Sequence, residues 1–270
     1  MPGSRLSLLG PPLLSPPPRS GEAFRKKTLA LMAYLAVEAR PVARDSLAAL
    51  FWPESPEQRA RSNLRRVIFC LRDLLGDGAV LAEQDCVLID PSRLGLDLRE
   101  FEELVADAPP DGSGMTMLED AVALYRDRFM AGFGLPDCPD YDDWQLGQSV
   151  FWSERVASVL NRLYLGYRDA GRLEKAEACA QRLVAVDPLD QNAHRLLMRH
   201  YADTEQPEKA ERQFRACASI LRDQLGIAPD DRTLGLRAEL RPARAAPGVS
   251  FGWGLLPRYE SSYIGRESET

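Results

Sequence analysis

The sequence predicts a mainly α-helical protein with a small α+β domain at residues 1–92 and an all-helical domain at residues 97–243. Apolar runs of strand length occur only before residue 97, and long amphipathic helices dominate after it. A repeat with a period of 34 residues lies in the second part. The length of 270 residues also favours two cores over one.

The first domain begins with a strand and two helices. Residues 5–9 predict a short strand, and the prolines between residues 11 and 18 predict that any sheet there is an edge or is interrupted. The apolar spacing from Phe24 to Val37 predicts a helix. A second, short helix is expected to begin at Asp45 as its N-cap and to end before Pro53.

A third helix and a hairpin complete this domain. Ser55 is expected to cap a helix with Pro56 at its first position, and this helix is expected to end at Leu75, before Gly76. Two apolar runs after it predict the strands of a hairpin, at Ala79–Ala82 and Cys86–Ile89. Three helices followed by a hairpin are typical of a winged helix-turn-helix domain.

The repeat in the second domain has the tetratricopeptide (TPR) period. Tyr167 is matched by Tyr201, and Glu174–Glu177 is matched by Glu208–Glu211. This period predicts stacked helical pairs. The Pro-, Ala- and Gly-rich residues 244–270 are expected to form a linker.

Charge is uneven along the chain. The window Arg19–Arg72 holds 11 basic and 5 acidic side chains, whereas the whole chain has a net charge of −6. A basic first quarter in an acidic protein indicates a domain that binds a polyanion, joined to a domain with another task.

The third helix carries the candidate site. If Leu64 is at the centre of its buried face, Arg59, Ser62 and Arg66 lie near the opposite pole. Arginine, asparagine and serine are side chains that contact base edges and phosphates. The alternative is that these arginines have no binding role and simply form a solvent-exposed face of the helix. The residues expected to contact DNA are Arg59, Arg61, Ser62, Asn63, Arg65 and Arg66, with Lys26 and Lys27 expected at phosphates.

Other functional classes find little support. The sequence contains no catalytic motif, no phosphate-binding G-K-[ST] segment, no cofactor motif and no metal-ligand spacing, so we expect a non-enzymatic protein without cofactor. No apolar run is long enough to span a membrane, and five scattered cysteines favour a reducing cytoplasm.

Phe69, on the exposed side of the third helix, is expected to pack under the hairpin.

The sequence also resembles a known family. The segments Lys26–Ala36, Pro41–Pro53 and Ala60–Arg66 are similar to the SARP family of Streptomyces antibiotic regulatory protein-like activators. These proteins join an OmpR-type winged helix to a bacterial transcriptional activator domain (BTAD) of TPR-like helices. The resemblance to the BTAD covers about residues 97–243, including Asp97–Phe101 and Gly226–Asp230.

The resemblance implies a cytoplasmic, DNA-binding transcriptional activator. Such proteins bind direct repeats in promoter DNA with two protomers side by side, so they form a homodimer on DNA. They recruit RNA polymerase through its sigma subunit. Carried over to this chain, the recognition helix is about Pro56–Leu75. The acidic hairpin tip, with Glu83 and Asp85, and the prolines near the N-terminus depart from the family pattern.

Two other functions stay open at this point. One is a TPR-type protein-interaction module with a degenerate winged helix. The other is a regulatory part of a larger signalling ATPase. The segment Tyr263–Glu267 resembles the start of the ATPase module in larger relatives, which favours a linker toward such a module.

Overall fold

The computed structural model describes residues 4–17, 26–76, 78–83, 85–109 and 113–240. In chain order their strands are β1 (Ser4–Ser7), β2 (Leu13–Ser15), β3 (Val42–Ala43), β4 (Val80–Ala82), β5 (Cys86–Ile89) and β6 (Leu94–Leu96). Their helices are α1 (Lys26–Glu38), α2 (Arg44–Phe51), α3 (Glu57–Leu75), α4 (Asp97–Asp107), α5 (Met115–Leu124), α6 (Pro139–Asp169), α7 (Leu173–Val186), α8 (Gln191–Asp203), α9 (Pro207–Leu225) and α10 (Asp231–Leu240). Within these ranges no helix is long and apolar enough to cross a membrane. The predicted linker 244–270, with Tyr263–Glu267, lies outside the described residues.

Helix α1 is the centre of the N-terminal part. Its residues Leu31, Met32 and Leu35 are fully buried, and α3 and β5 pack against it. Helix α2 packs on α3 through Leu47 and Phe51, which are also fully buried. The three predicted helices are therefore present, and they share one apolar core.

The first sheet has the order β2-β1-β6, with β1 in the middle. Strand β1 pairs antiparallel with β2, where Leu6 faces Leu14, and parallel with β6, where Leu6 faces Leu96. The prolines flank β2 and leave it at the edge of the sheet, as expected for residues that cannot donate to a ladder. Strand β6 was not predicted, because three residues with a central glycine give too short a pattern.

The predicted hairpin is present as β4 and β5. Its two strands pair antiparallel, with Val80 opposite Ile89, and β3 pairs with the other side of β5. The hairpin follows α3 directly and forms the wing of the winged helix.

The predicted helix caps are wrong in detail. Helix α2 begins at Arg44 with Ala43 as its N-cap, and α3 has Pro56 as its N-cap with no side-chain hydrogen bond. Asp45 does not cap α2, because its carboxylate accepts two hydrogen bonds from Arg61 of α3. Asp45 therefore contacts the neighbouring helix α3 and does not cap its own helix.

The second part is built of antiparallel helical pairs, α6 with α7 and α8 with α9. The 34-residue repeat of the sequence is matched by equivalent contacts in the structure. Tyr167 and Tyr201 are buried at the ends of α6 and α8, and the ammonium groups of Lys175 and Lys209 lie 5.0 and 5.2 Å from the centres of their rings.

The two parts share one hydrophobic core. At one end, the buried carboxylate of Asp97 in α4 accepts hydrogen bonds from the backbone N–H groups of Leu8 and Leu9, at 2.8–2.9 Å. At the other, the rings of Phe51 in α2 and Tyr141 in α6 lie 5.2 Å apart. The winged helix is therefore held against the helical domain at two places.

Candidate nucleic-acid interface

Helix α3 is held from behind by a stripe of buried side chains. Ala60, Leu64, Ile68 and Leu71 are at most 4% exposed, and their spacing of three and four residues places them on one side of the helix. The opposite side faces solvent. We call Arg59, Ser62, Arg66 and Phe69 the outer face, because all four are exposed there.

The charge of α3 favours a polyanion. The helix carries five arginines against two acidic residues, Glu57 and Asp73. The arginines on the exposed surface thus outnumber the carboxylates that could neutralise them.

The outer face holds the arginines that are free to bind. Among the described residues, neither Arg59 nor Arg66 has a hydrogen bond or ion pair through its guanidinium, and Ser62 between them is also exposed. Asn63 is half-buried on the flank of the helix. These side chains could donate hydrogen bonds to phosphates or base edges without breaking an existing contact.

Arg61 and Arg65 lie on the other flank and are differently placed. The guanidinium of Arg61 donates to both carboxylate oxygens of Asp45, at 3.0 Å each, and pairs with Glu57 at 2.8 Å. Arg65 Nε donates to the carbonyl oxygen of Arg61 at 3.4 Å. Arg61 therefore joins α2 to α3, and the sequence pattern does not reveal this role because the partners are 16 positions apart.

The two lysines at the start of α1 also differ. Lys26 is exposed, whereas Lys27 Nζ donates to the carbonyl oxygen of Phe51 at 2.6 Å and pairs with Asp137 at 2.7 Å. Its ammonium lies 5.3 Å from the centre of the Trp52 ring. The ammonium holds the pKa of Asp137 below its ordinary value through this hydrogen bond. We call these contacts the Lys27 cluster; they join the winged helix to the segment before α6.

A cleft brings several of the predicted residues together. It has a volume of about 340 Å³ and lies between the start of α1 and one flank of α3. The predicted residues at its border are Lys26, Lys27, Asn63 and Arg66, and Pro136 of the helical domain closes one side.

The wing is anchored to the start of α2. Arg44 donates its backbone N–H to the carbonyl oxygen of Asp85 at 2.8 Å and its Nε to that of Glu83 at 3.2 Å. Both acidic side chains of the wing tip are exposed. No local sequence signal predicts this role for Arg44, because its partners lie about 40 positions later in the chain.

Phe69 corrects one expectation. Its side chain is 73% exposed, so it does not pack under the wing. At 100° per residue it lies close to Ser62 and Arg66 around the helix, far from the buried stripe. An aromatic side chain therefore stands among the polar groups of the outer face.

Comparisons with known proteins agree with this architecture. The sequence profile of the bacterial transcriptional activator domain matches residues 96–241. A solved structure of Mycobacterium tuberculosis EmbR in complex with a low-affinity phosphopeptide is similar, with a TM-score of 0.64 and 21% sequence identity. The match covers 88% of this chain and 64% of the EmbR chain, so this chain spans less than two thirds of EmbR. No curated protein matches the sequence.

Proposed function

We propose, from the premise that this chain belongs to the bacterial transcriptional activator domain family, that it binds promoter DNA through α3 and activates transcription there. The resemblance to SARP-type activators is confirmed by the family match and by the fold. As a non-enzymatic regulator it would act in the cytoplasm, where promoter DNA is accessible.

One observation carries the proposal: the outer face of α3 has two arginines without a partner on a helix whose other side is fully buried. The buried stripe prevents the helix from rotating, so the guanidinium groups stay directed outward. An α-helix fits the major groove of B-DNA, and arginine pairs with guanine through two hydrogen bonds. We further propose that Phe69 contacts the methyl group of a thymine, a contact that apolar side chains make in this groove.

Selection of bound sequences from a random DNA library tests the proposal. We expect a short motif, and we expect Arg59→Ala and Arg66→Ala each to weaken its binding by about 1–3 kcal/mol, measured by fluorescence anisotropy. Each lost phosphate contact should also lower the salt dependence of binding by about one. Arg212→Ala, an exposed arginine of α9, is the matched control and should leave binding unchanged.

The result that would contradict DNA binding is equally clear. If no motif is selected, or if both α3 variants bind as tightly as the parent chain, α3 is not a recognition helix. Folding of each variant is checked by its unfolding midpoint, which should change little because both side chains are exposed.

The arrangement on DNA is a finer part of the proposal. We infer a homodimer on direct repeats, with protomers side by side, from the SARP resemblance. Selected sites should then hold two copies of the motif in the same orientation, spaced by about one helical turn, roughly 10–11 base pairs. Inverted copies would indicate a two-fold symmetric dimer instead.

Recruitment of RNA polymerase through its sigma subunit completes the proposal. In transcription with purified polymerase, the chain should raise transcript from a template that carries the selected site, and Arg66→Ala should lose this effect. DNA binding without more transcript would leave the α3 assignment intact and refute activation.

A second candidate function, a protein-interaction module, has one observation in its favour. Leu146, Val150 and Phe151 of α6 are each about half exposed or more, which is unusual for apolar side chains of this size. Polar variants at these positions that lose activation but keep DNA binding would place a protein contact here.

A further inference from the structure

A cavity of about 240 Å³ lies between α5, α6 and α7 in the helical domain. Its apolar lining is formed by Val122, Leu160 and Leu163, which are themselves almost fully buried. The cavity is smaller than the pockets that hold drug-sized molecules, and it lies far along the chain from α3. The DNA-binding proposal makes no use of it.

A half-buried cation without a carboxylate partner borders this cavity. The Nη2 atom of Arg182 donates to the carbonyl oxygens of Val122 and Tyr125, at 2.7 Å each, where α5 ends. Among the described residues, no carboxylate pairs with Arg182 and no hydrogen bond uses its Nε or Nη1. Burial lowers the pKa of the guanidinium, because the charge is removed from water.

The half-buried guanidinium of Arg182 would be stabilised by an anion. A cation taken out of water is costly unless it is paired, and a hydrogen bond from arginine to a carboxylate is stronger than one to a neutral oxygen because both groups are charged. The carbonyl oxygens at the end of α5 offset part of this cost, since they carry the negative end of the helix dipole. They accept both hydrogens of Nη2, so Nε and Nη1 are the donors left for an anion.

The other charged groups of the cavity leave room for an anion. Glu119 is held by Lys175 at 2.8 Å and accepts a hydrogen bond from the hydroxyl of Tyr167. These contacts hold the pKa of Glu119 below its ordinary value, so the carboxylate stays ionised and its charge is paired with that of Lys175. With Glu119, Lys175 and Arg182 as its charged residues, the lining has a net charge of +1.

We propose that this cavity binds a small amphipathic carboxylate, with its headgroup on Arg182 and its apolar body against Val122, Leu160 and Leu163. The site is independent of DNA binding by α3. Its ligand is a short-chain monocarboxylate, because a small apolar space that ends at a cation fits one charge and a few methylene groups.

The test uses the full chain and three probes: butanoate, hexanoate and octanoate, each compared with its amide. The amide has the same shape and no charge, so the pair isolates the contribution of the guanidinium. We expect saturable binding of at least one carboxylate by isothermal titration calorimetry, and binding of its amide at least tenfold weaker.

Two variants locate the bound probe. Arg182→Met should weaken carboxylate binding at least tenfold, but it also removes two hydrogen bonds at the end of α5. Ala178→Phe leaves Arg182 intact and fills the mouth of the cavity from an exposed position, so it should abolish binding with little change in unfolding midpoint. Ala216→Phe, at an exposed position of α9 away from the cavity, is its matched control.

The proposal is overturned if none of the three carboxylates binds, if an amide binds as tightly as its acid, or if Ala178→Phe leaves binding unchanged. None of these results bears on the DNA proposal, because the titrations contain no DNA.

Discussion

At the scale of single residues, Phe69 is the most informative side chain of the outer face. It is 73% exposed and lies three residues after Arg66, so both would approach the same groove. An exposed phenylalanine costs a folded protein solubility without adding to its core. Contact with a thymine methyl would account for its presence.

Removal of one methyl group from the DNA tests this contact directly. We expect Phe69→Ala to lower affinity for the selected site by roughly fourfold, the effect of about one buried CH₂ group. Replacement of the contacted thymine by deoxyuridine should cost the parent chain a similar factor and cost Phe69→Ala nothing further. Equal losses in both proteins, measured by anisotropy, would show that Phe69 and the methyl group do not meet.

His194 gives a prediction on pH. Its ring is fully buried, with Nε2 donating to the carbonyl oxygen of Pro188 at 3.0 Å and Nδ1 accepting from Gln213 at 2.7 Å. Burial lowers the pKa of His194 below its ordinary value of 6.5. The unfolded chain therefore takes up the proton first, and stability is lost as the pH falls below 6.5.

We expect the free energy of unfolding to fall by about 1 kcal/mol from pH 7.5 to 5.5 through this group. His194→Gln cannot titrate, so urea unfolding of this variant should show a smaller loss over the same range. An identical loss would assign the effect to other groups, of which His200 is one whose pKa burial also lowers.

At the scale of elements, the Lys27 cluster gives Lys27 a different role from its neighbour Lys26, although the sequence predicts a phosphate contact for both. Lys27→Met removes a hydrogen bond to Phe51 and an ion pair to Asp137, so we expect a loss of roughly 1–2 kcal/mol in the free energy of unfolding. Lys26→Met should leave stability unchanged and weaken DNA binding, with a lower salt dependence. Urea unfolding and anisotropy on both variants measure the two effects.

The opposite pattern would contradict this assignment. If Lys27→Met weakens DNA binding at unchanged stability, its ammonium leaves Asp137 when DNA binds. That outcome would support the phosphate contact that the sequence predicts for Lys27.

The extent of α3 could be predicted from the sequence, and the partners of its flanking residues could not. The apolar spacing around Leu64 and the glycine at position 76 act locally, and local signals determine where a helix lies and which side it buries. The ion pair of Lys27 joins residues 110 positions apart, and that of Arg61 joins two helices. Strand β6 is too short to predict from its own three residues, and its parallel partner β1 lies near the start of the chain.

At the scale of the whole molecule, the predicted border between residues 92 and 97 is crossed by the first sheet. Strand β1 pairs with β6, and Asp97 satisfies the buried N–H groups of Leu8 and Leu9. The predicted border stays a prediction, but the two sides of it depend on each other for backbone hydrogen bonds.

We therefore expect Asp97→Ala to lower the free energy of unfolding by roughly 2–4 kcal/mol, because two buried donors lose their acceptor. Asp107→Ala, an exposed acidic residue at the end of the same helix, is the control and should have little effect. A fragment that ends at residue 92 should fail to fold for the same reason, as judged by circular dichroism. A stable fragment of that length would show that β1 does not need its parallel neighbour.

Helix α6 has a mechanical consequence. It runs unbroken for 31 residues, about 46 Å, with Tyr141 beside α2 near its start and Tyr167 at the cavity that Arg182 borders near its end. A rod of this length behaves as a lever: a slight tilt at one end sweeps the far end through several ångströms. The cavity beside Tyr167 and the aromatic contact that supports the winged helix thus lie at the two ends of one stiff element.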